Sequence, residues 1–252
     1  MTEMSLSGKV ALITGAGRGF GQAIGELFAA EGADLALNYL NSQAGCEQVA
    51  VQARAAGRRA LVLQGDVRQE SAIKDLVARC LEEFGRIDIL VNNAGVMTVG
   101  EFAETDRADW DADIQTNIYG PLMLTREVLP HMIERRSGRI INLSSQLAIN
   151  GAAEVAVYSG TKGFIRIWTQ ALAKEVGQFN INVNCIGPGA IPTDMSEHFT
   201  GTEEQRERSA ARNPLRHLGV PHDVAECALF LATDASNFIT GQMLVVNGGS
   251  IM

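Results

Sequence analysis

Cysteine is sparse in this chain of 252 residues: Cys46, Cys80, Cys185 and Cys227 lie far apart, with no Cys-x-x-Cys pair. That excludes a disulfide framework and a cysteine zinc site. It predicts four small buried apolar residues in a reduced compartment. Histidine is as scarce. His131, His198, His217 and His222 have no partners at metal-ligand or hydrolase-triad spacing, so neither a metal centre nor a serine-hydrolase triad is expected. No uninterrupted apolar run approaches the roughly 20 residues that span a bilayer, and Met1 to Gly8 lacks the apolar segment of a secretory leader. Together these absences predict a soluble, cytoplasmic protein. Positive charge is short too: the net charge is −8, and the densest basic cluster is Arg135, Arg136 and Arg139. Nucleic acid and anionic membrane are therefore excluded as main partners.

What is present is a regular alternation. At 46% hydrophobic residues the chain can bury one substantial core. Strand-like runs read at about 9–14, 34–39, 59–64, 87–92, 138–144, 180–186 and 242–246. Helical patterns fill the intervals, the longest near 106–135 and 157–177. Strand and helix in alternation predict an α/β fold, a parallel sheet with helices on both faces. No repeat or linker interrupts it, so residues 1–252 read as one domain. Pro130 should bend or end the first long helix. The stretch 190–216 breaks the alternation with charge, Pro192 and Pro214, and reads as a short helical lid over a site.

Two clusters carry chemistry. The run Lys9 to Thr14 is a buried-type strand that ends in Gly15-Ala16-Gly17-Arg18-Gly19-Phe20-Gly21, followed by a helix. Strand, glycine turn and helix form a dinucleotide-binding arrangement, because glycines admit the pyrophosphate and the helix N-terminus favours its charge. The second cluster is Tyr158 and Lys162, four residues apart, thirteen residues after Ser144-Ser145. On a helix the pair shares one face. An ammonium there stabilises a phenolate, so a phenol of pKa near ~10 becomes a proton carrier at neutral pH.

With Asp66-Val67 after the third strand, Asn92-Asn93-Ala94-Gly95 after the fourth, Asn117 on the long helix and Pro188-Gly189 with Thr193 downstream, the chain resembles the short-chain dehydrogenases/reductases from Lys9 to Gly249. The resemblance implies a Rossmann-type, doubly wound sheet of seven parallel strands in the order 3-2-1-4-5-6-7. It implies an NAD(P)-dependent oxidoreductase that moves hydride between a nicotinamide and a carbonyl or alcohol. Tyr158 would be general acid and base, Lys162 would favour its anion and hold the nicotinamide ribose, and Asn117 would hold a water on the proton path. Ser145 would hydrogen-bond the substrate oxygen, and the family spacing selects it over Ser144. Asp66 would accept from the adenine amino group and Val67 would pack the ring. Gly15, Gly17, Gly19, Phe20, Gly21, Asn93, Ala94, Gly95, Pro188, Gly189, Ile191 and Thr193 complete the implied cofactor site. A closed homotetramer, built through the two long helices and the last helix and strand, is the implied assembly. Ile165, Ile167, Trp168 and Leu172 are candidates for its apolar surface or for the core.

The choice of nicotinamide follows from the second strand, which ends in Asn38 and Tyr39 where NAD-preferring relatives carry an acid. Arg18 stands where a guanidinium could pair with a 2′-phosphate. NADP is therefore favoured, with dual use open, although Leu40 occupies the place of a frequent second basic residue. For the substrate, the length, Arg136 and the ending Gly248 to Met252 are similar to 3-oxoacyl-[acyl-carrier-protein] reductases. Phe179, however, replaces the second basic residue that would meet the carrier protein. Asn38-Tyr39 and Gly187 to Ile191 are similar to bacterial glucose 1-dehydrogenases. The expected pocket rim includes Gln146, Leu147, Met97, Glu154, Ala190, Met195 and Phe199, with Gln146 and Met195 as substrate contacts. A non-catalytic NADP-binding scaffold or sensor is the alternative of another class.

Overall fold

Runs rich in valine, isoleucine and leucine become seven strands in the computed structural model, which describes residues 4–251. They are β1 (Val10–Ile13), β2 (Asp34–Tyr39), β3 (Ala60–Gln64), β4 (Ile89–Asn92), β5 (Gly138–Leu143), β6 (Ile181–Pro188) and β7 (Met243–Val246). All pair in parallel, in the order β3-β2-β1-β4-β5-β6-β7. This is the Rossmann-type order implied by the resemblance. Residues 1–3 and Met252 lie outside the described residues, so the leader reading of Met1 to Gly8 and the final residue of the C-terminal run fall partly there.

Parallel neighbours require long crossovers, and helices supply them. They are α1 (Gly19–Ala30), α2 (Gln43–Ala55), α3 (Glu70–Phe84), α4 (Arg107–Ile114), α5 (Gly120–Arg135), α6 (Leu147–Asn150), α7 (Ala156–Val176), α8 (Glu197–Thr200), α9 (Glu203–Arg212) and α10 (Pro221–Ala232). Strand side chains alternate between faces, and each face has its own core. Ala11 and Ile13 pack with Ile24, Phe28, Val49 and Leu229 from α1, α2 and α10. Val10 and Leu12 pack with Leu76, Leu124, Val128 and Val176 from α3, α5 and α7. With both faces covered, β1 has no polar side and reads as a continuous apolar run. The carboxyl ends of β1, β4 and β5 are left as one open edge, and Thr14, Asn93 and Ser144 follow directly there.

The structure corrects three expectations and settles a fourth point left open. The helix expected over 106–135 is two helices joined by a π-helical turn, Gln115–Tyr119. Such a turn adds one residue to the helix and re-aims its side chains, an insertion that hydrophobic periodicity does not register. Pro130 does not end α5, which continues to Arg135 and stops at Arg136 in the left-handed region, φ 50°. Both Pro130 and Arg126, whose carbonyl loses its helical donor, are exposed, so water replaces the missing hydrogen bond. β6 runs two residues past 186, to Pro188. On α7, Ile165 and Leu172 are core residues, whereas Ile167 and Phe164 are exposed.

Among the described residues no helix is long and apolar enough to cross a membrane, and no group of three His, Cys, Asp or Glu could hold a metal ion. Cys46, Cys80 and Cys185 are buried and unbridged, and burial pushes their thiols up to about 12. Replacing Pro130 by Ala restores a helical hydrogen bond on the solvent face and should stabilise the fold by roughly 1–3 kcal/mol. Urea unfolding measures this; a loss of stability would mean that the proline ring makes a packing contact worth more than the bond.

Candidate active site

The glycine turn is set by close approach. Gly15 has φ +63°, the left-handed region. A Cβ on Gly17 would overlap the Ser42 carbonyl, and one on Gly21 would overlap the Gly15 carbonyl and the Asn93 amide. Thr14 and Asn93 brace the turn from the neighbouring strand end. The Thr14 hydroxyl accepts from the N–H groups of Asn93 at 3.0 Å and Ala94 at 3.1 Å. Asn93 Nδ2 donates to the carbonyls of Thr14 at 2.8 Å and Gly15 at 3.0 Å. Beyond the turn, α1 begins after Arg18 with no side-chain cap and no acid in its first turn. Its first N–H groups and positive dipole end are left for an anion.

These elements open onto a cleft of about 500 Å³ lined by Gly15, Gly17, Arg18, Gly19, Phe20, Asn38, Tyr39, Asp66, Val67, Asn93, Ala94, Gly95, Tyr158, Lys162, Thr193 and Met195, among others. The volume falls in the ordinary range of cofactor sites. Uncapped helix, glycine cradle and elongated cleft fit a dinucleotide.

At one end of the cleft Arg68 clamps Asp66 with Nε at 2.9 and 3.0 Å and Nη2 at 2.7 Å. The guanidinium holds the Asp66 carboxyl below the usual carboxylate range. Asn38 is buried, and its Nδ2 donates to the carbonyls of Leu63 at 3.3 Å and Gly65 at 3.0 Å. That amide nitrogen ties β2 to β3, which leaves Tyr39 through Ser42 as the strand-end surface in the cleft. Arg18 pairs with Asp194 at 3.1 Å, both well exposed.

At the other end the tyrosine and lysine meet the strand ends. Tyr158 and Lys162 are both buried on α7. Lys162 Nζ lies 5.5 Å from the centre of the Tyr158 ring and donates to the Leu143 carbonyl at 2.8 Å. Ser144 and Ser145 point apart: the Ser144 hydroxyl donates to the Lys162 carbonyl at 2.9 Å, while Ser145 is hydrogen-bonded to Tyr158 and accepts from Leu147 N–H at 3.1 Å. Asn117 sits in the π-helical turn. Its Oδ1 accepts from Val96 N–H at 3.0 Å, and its Nδ2 donates to the Val96 carbonyl at 2.8 Å and the Thr161 hydroxyl at 3.2 Å.

Burial outweighs charge at this pair. Desolvation pushes the Tyr158 hydroxyl up to about 12; the Ser145 hydrogen bond works against this and Asp113 adds to it. Desolvation lowers Lys162 to about 8, and Asp113 works against it. Tyr158 is therefore a protonated donor at neutral pH, and Lys162 changes charge near the physiological range.

Other expected residues stand behind the cleft wall. Gln146 Oε1 accepts from Asn247 Nδ2 at 3.2 Å and the Ser250 hydroxyl at 2.8 Å. Pro188 takes Gln146 N–H at 3.0 Å, Gly189 packs on Asn247, and Ile191 is buried in the core. Glu154, at φ 64°, pairs with His198 of α8 at 3.6 Å. The sequence reading missed Arg68, Thr98, Asp113, Thr161, Asn247 and Ser250. For Arg68 a signal existed, a guanidinium two residues after Asp66. Thr14→Val removes the oxygen that serves two partly buried N–H groups. We expect it to cost about 1–3 kcal/mol in denaturant unfolding and to weaken nicotinamide dinucleotide binding; unchanged values would mean that the brace is redundant.

Comparison with known proteins agrees with this geometry. A family model described as enoyl-(acyl carrier protein) reductase matches residues 15–250. The chain is 38% identical over 246 residues to the (2S)-[(R)-hydroxy(phenyl)methyl]succinyl-CoA dehydrogenase subunit BbsD of Thauera aromatica, covering 98% of each chain. It is 37% identical to the 3-oxoacyl-[acyl-carrier-protein] reductase FabG of Thermotoga maritima, covering 99% of this chain and 100% of the relative. Among solved structures, a short chain dehydrogenase from Burkholderia cenocepacia in complex with NADP superposes with a TM-score of 0.90 at 33% identity, over 97% of this chain and 98% of that one. The chain belongs to the short-chain dehydrogenase/reductase family, as an NAD(P)-dependent oxidoreductase acting between CH–OH and C=O.

Proposed function

We propose that the protein is an NADP-favouring reductase of ketones, 3-oxoacyl thioesters foremost, with Tyr158 as proton donor. The observation that carries this reading is the convergence of Ser145, Tyr158, Lys162 and Asn117 at one end of a dinucleotide cleft. The nicotinamide supplies the hydride when bound. Tyr158 gives its proton to the oxygen that gains negative charge, and Ser145 hydrogen-bonds the same oxygen. Lys162 holds positive charge beside the ring and the ribose hydroxyls. Asn117 has both amide hydrogens committed to protein, so its remaining Oδ1 lone pair is what can hold a water for the outward proton path.

NADP is favoured because the strand-end surface from Tyr39 to Ser42 carries no acid, and Arg68 already neutralises Asp66. The Arg18–Asp194 pair is exposed and of little worth on its own, so Arg18 is free to exchange Asp194 for a 2′-phosphate. Thioesters are supported by two relatives whose names denote acyl-CoA and acyl-carrier substrates. Docking of a carrier protein itself is disfavoured: Arg136 folds back over the Phe179 ring at 5.9 Å and donates to the Gln178 carbonyl at 2.8 Å. Residues 190–216 act as the substrate lid, with Met195 at the cleft. Assembly into a homotetramer uses the α7 face bearing Phe164, Ile167 and Trp168, and the protein works in the cytoplasm.

Turnover of a 3-oxoacyl thioester with NADPH, and with NADH in parallel, tests the substrate. Ser145→Ala should lower kcat by roughly 10²–10³. Tyr158→Phe should abolish turnover and keep NADPH binding; a scaffold protein would lose nothing. With pH, reduction should hold steady below about 8 and decline above it as Lys162 loses its proton. Alcohol oxidation needs the phenolate and should instead rise with pH towards about 12. Parallel profiles in the two directions would overturn the assignment of Tyr158 as the proton carrier.

A further inference from the structure

Asp113 is completely buried, and the chemistry above does not use it. It lies on α4 one turn before Asn117, so the two side chains leave the same side of the helix. The segment after β4 runs along that side and is fastened to it twice. Val96 exchanges hydrogen bonds of 3.0 and 2.8 Å with the Asn117 amide. Two residues on, Thr98 gives Asp113 Oδ1 its N–H at 3.1 Å and its hydroxyl at 3.3 Å. Val96, Met97 and Thr98 are wall residues of the cleft. The second fastening could have been made by a neutral amide, as the first is. Here it is a carboxyl group, enclosed in the protein and close enough to act on Tyr158 and Lys162.

We propose that Asp113 is a positioning residue of the Tyr158–Lys162 pair: it clamps the cleft wall at Thr98 and sets a buried negative charge that keeps Lys162 an ammonium. The charged and titratable groups that act on it are few. Burial raises the Asp113 carboxyl, while the two Thr98 hydrogen bonds and Lys162 lower it. Asp109 lies on its own helix, Lys162 and Tyr158 come from α7, and the wall segment 96–98 carries no charge. Burial draws the Lys162 proton off, and Asp113 opposes that loss. The same charge resists ionisation of Tyr158 and keeps the phenol a donor. This role rests on reading Tyr158 and Lys162 as the proton-handling pair.

The chain has four lysines, Lys9, Lys74, Lys162 and Lys174, so carbon-13 labelling at lysine Cε gives four resolvable signals. The one absent from Lys162→Met is Lys162. In the wild-type protein without added cofactor its titration midpoint should lie near 8. In Asp113→Asn, which keeps an acceptor for Thr98 and removes the charge, the midpoint should fall by about half a pH unit or more. Thr98→Val weakens the clamp but keeps the charge, and its midpoint should stay with the wild type. Should Asp113→Asn not fold, Asp113→Ser carries the same test. An unmoved Lys162 midpoint in the folded Asp113 variant overturns the inference, as does an equal shift in Thr98→Val. Undiminished turnover of Tyr158→Phe would instead overturn the reading of the pair and leave the midpoint shift standing.

Discussion

The amide of Asn117 is the fastening on which the catalytic end of the cleft depends. One side chain joins three separate parts of the chain: the segment after β4 through Val96, the π-helical turn that carries Asn117, and α7 through Thr161. Thr161 in turn donates to the Tyr158 carbonyl at 2.7 Å, so the tether reaches the backbone of the tyrosine. The bond to Thr161 is buried and the two to Val96 are partly buried; an unpaired amide group in such a place costs about 1–3 kcal/mol. The π turn is the local distortion that accommodates this arrangement, consistent with the placement of such turns at functional sites.

Electrostatics at the site is governed by exclusion of water more than by the pairing of opposite charges. Tyr158 and Lys162 are close, yet burial moves the first up and the second down, each towards its neutral form. For reduction this is serviceable: a phenol that holds its proton is the donor required. The opposite regime holds at the Asp66 end of the cleft, where the Arg68 clamp keeps that carboxylate anionic near the surface. One cleft thus has a dry end that suppresses charge and a wetter end that displays it.

Much of the fold was legible because it follows from local rules. Unbroken apolar runs such as Val10–Ile13 signal strands covered on both faces. Gly15, Gly17 and Gly21 mark places where only a hydrogen side chain leaves room. The dinucleotide cleft was readable from those glycines because their requirement is steric and sequence-local. The rest depended on partners distant in sequence. Nothing around residue 117 signals a π turn, and the partners of Asn117 in that turn, Val96 and Thr161, lie far from it in sequence. The Asp113–Thr98 clamp and the link from Gln146 to Asn247 and Ser250 are of the same kind. The charge state of the Tyr158–Lys162 pair could not be read from spacing for a related reason. Spacing gives proximity, whereas solvent exclusion is a property of the whole fold.

The link between Gln146 and the last described residues bears on the order in which the molecule is made. Gln146 follows Ser145 directly, and its carbonyl oxygen is held by Asn247 and Ser250, about a hundred residues later in synthesis. β7, the outermost strand, must also add to β6 before that segment is in place. During translation the glycine turn and the first strands are available early, as domains form progressively from the N-terminus. The segment after Ser145 is held only once Asn247 and Ser250 have left the ribosome. A nascent chain stalled before Asn247 would hold the turn and first strands of a nucleotide site while Gln146, next to Ser145, still lacked both of its partners.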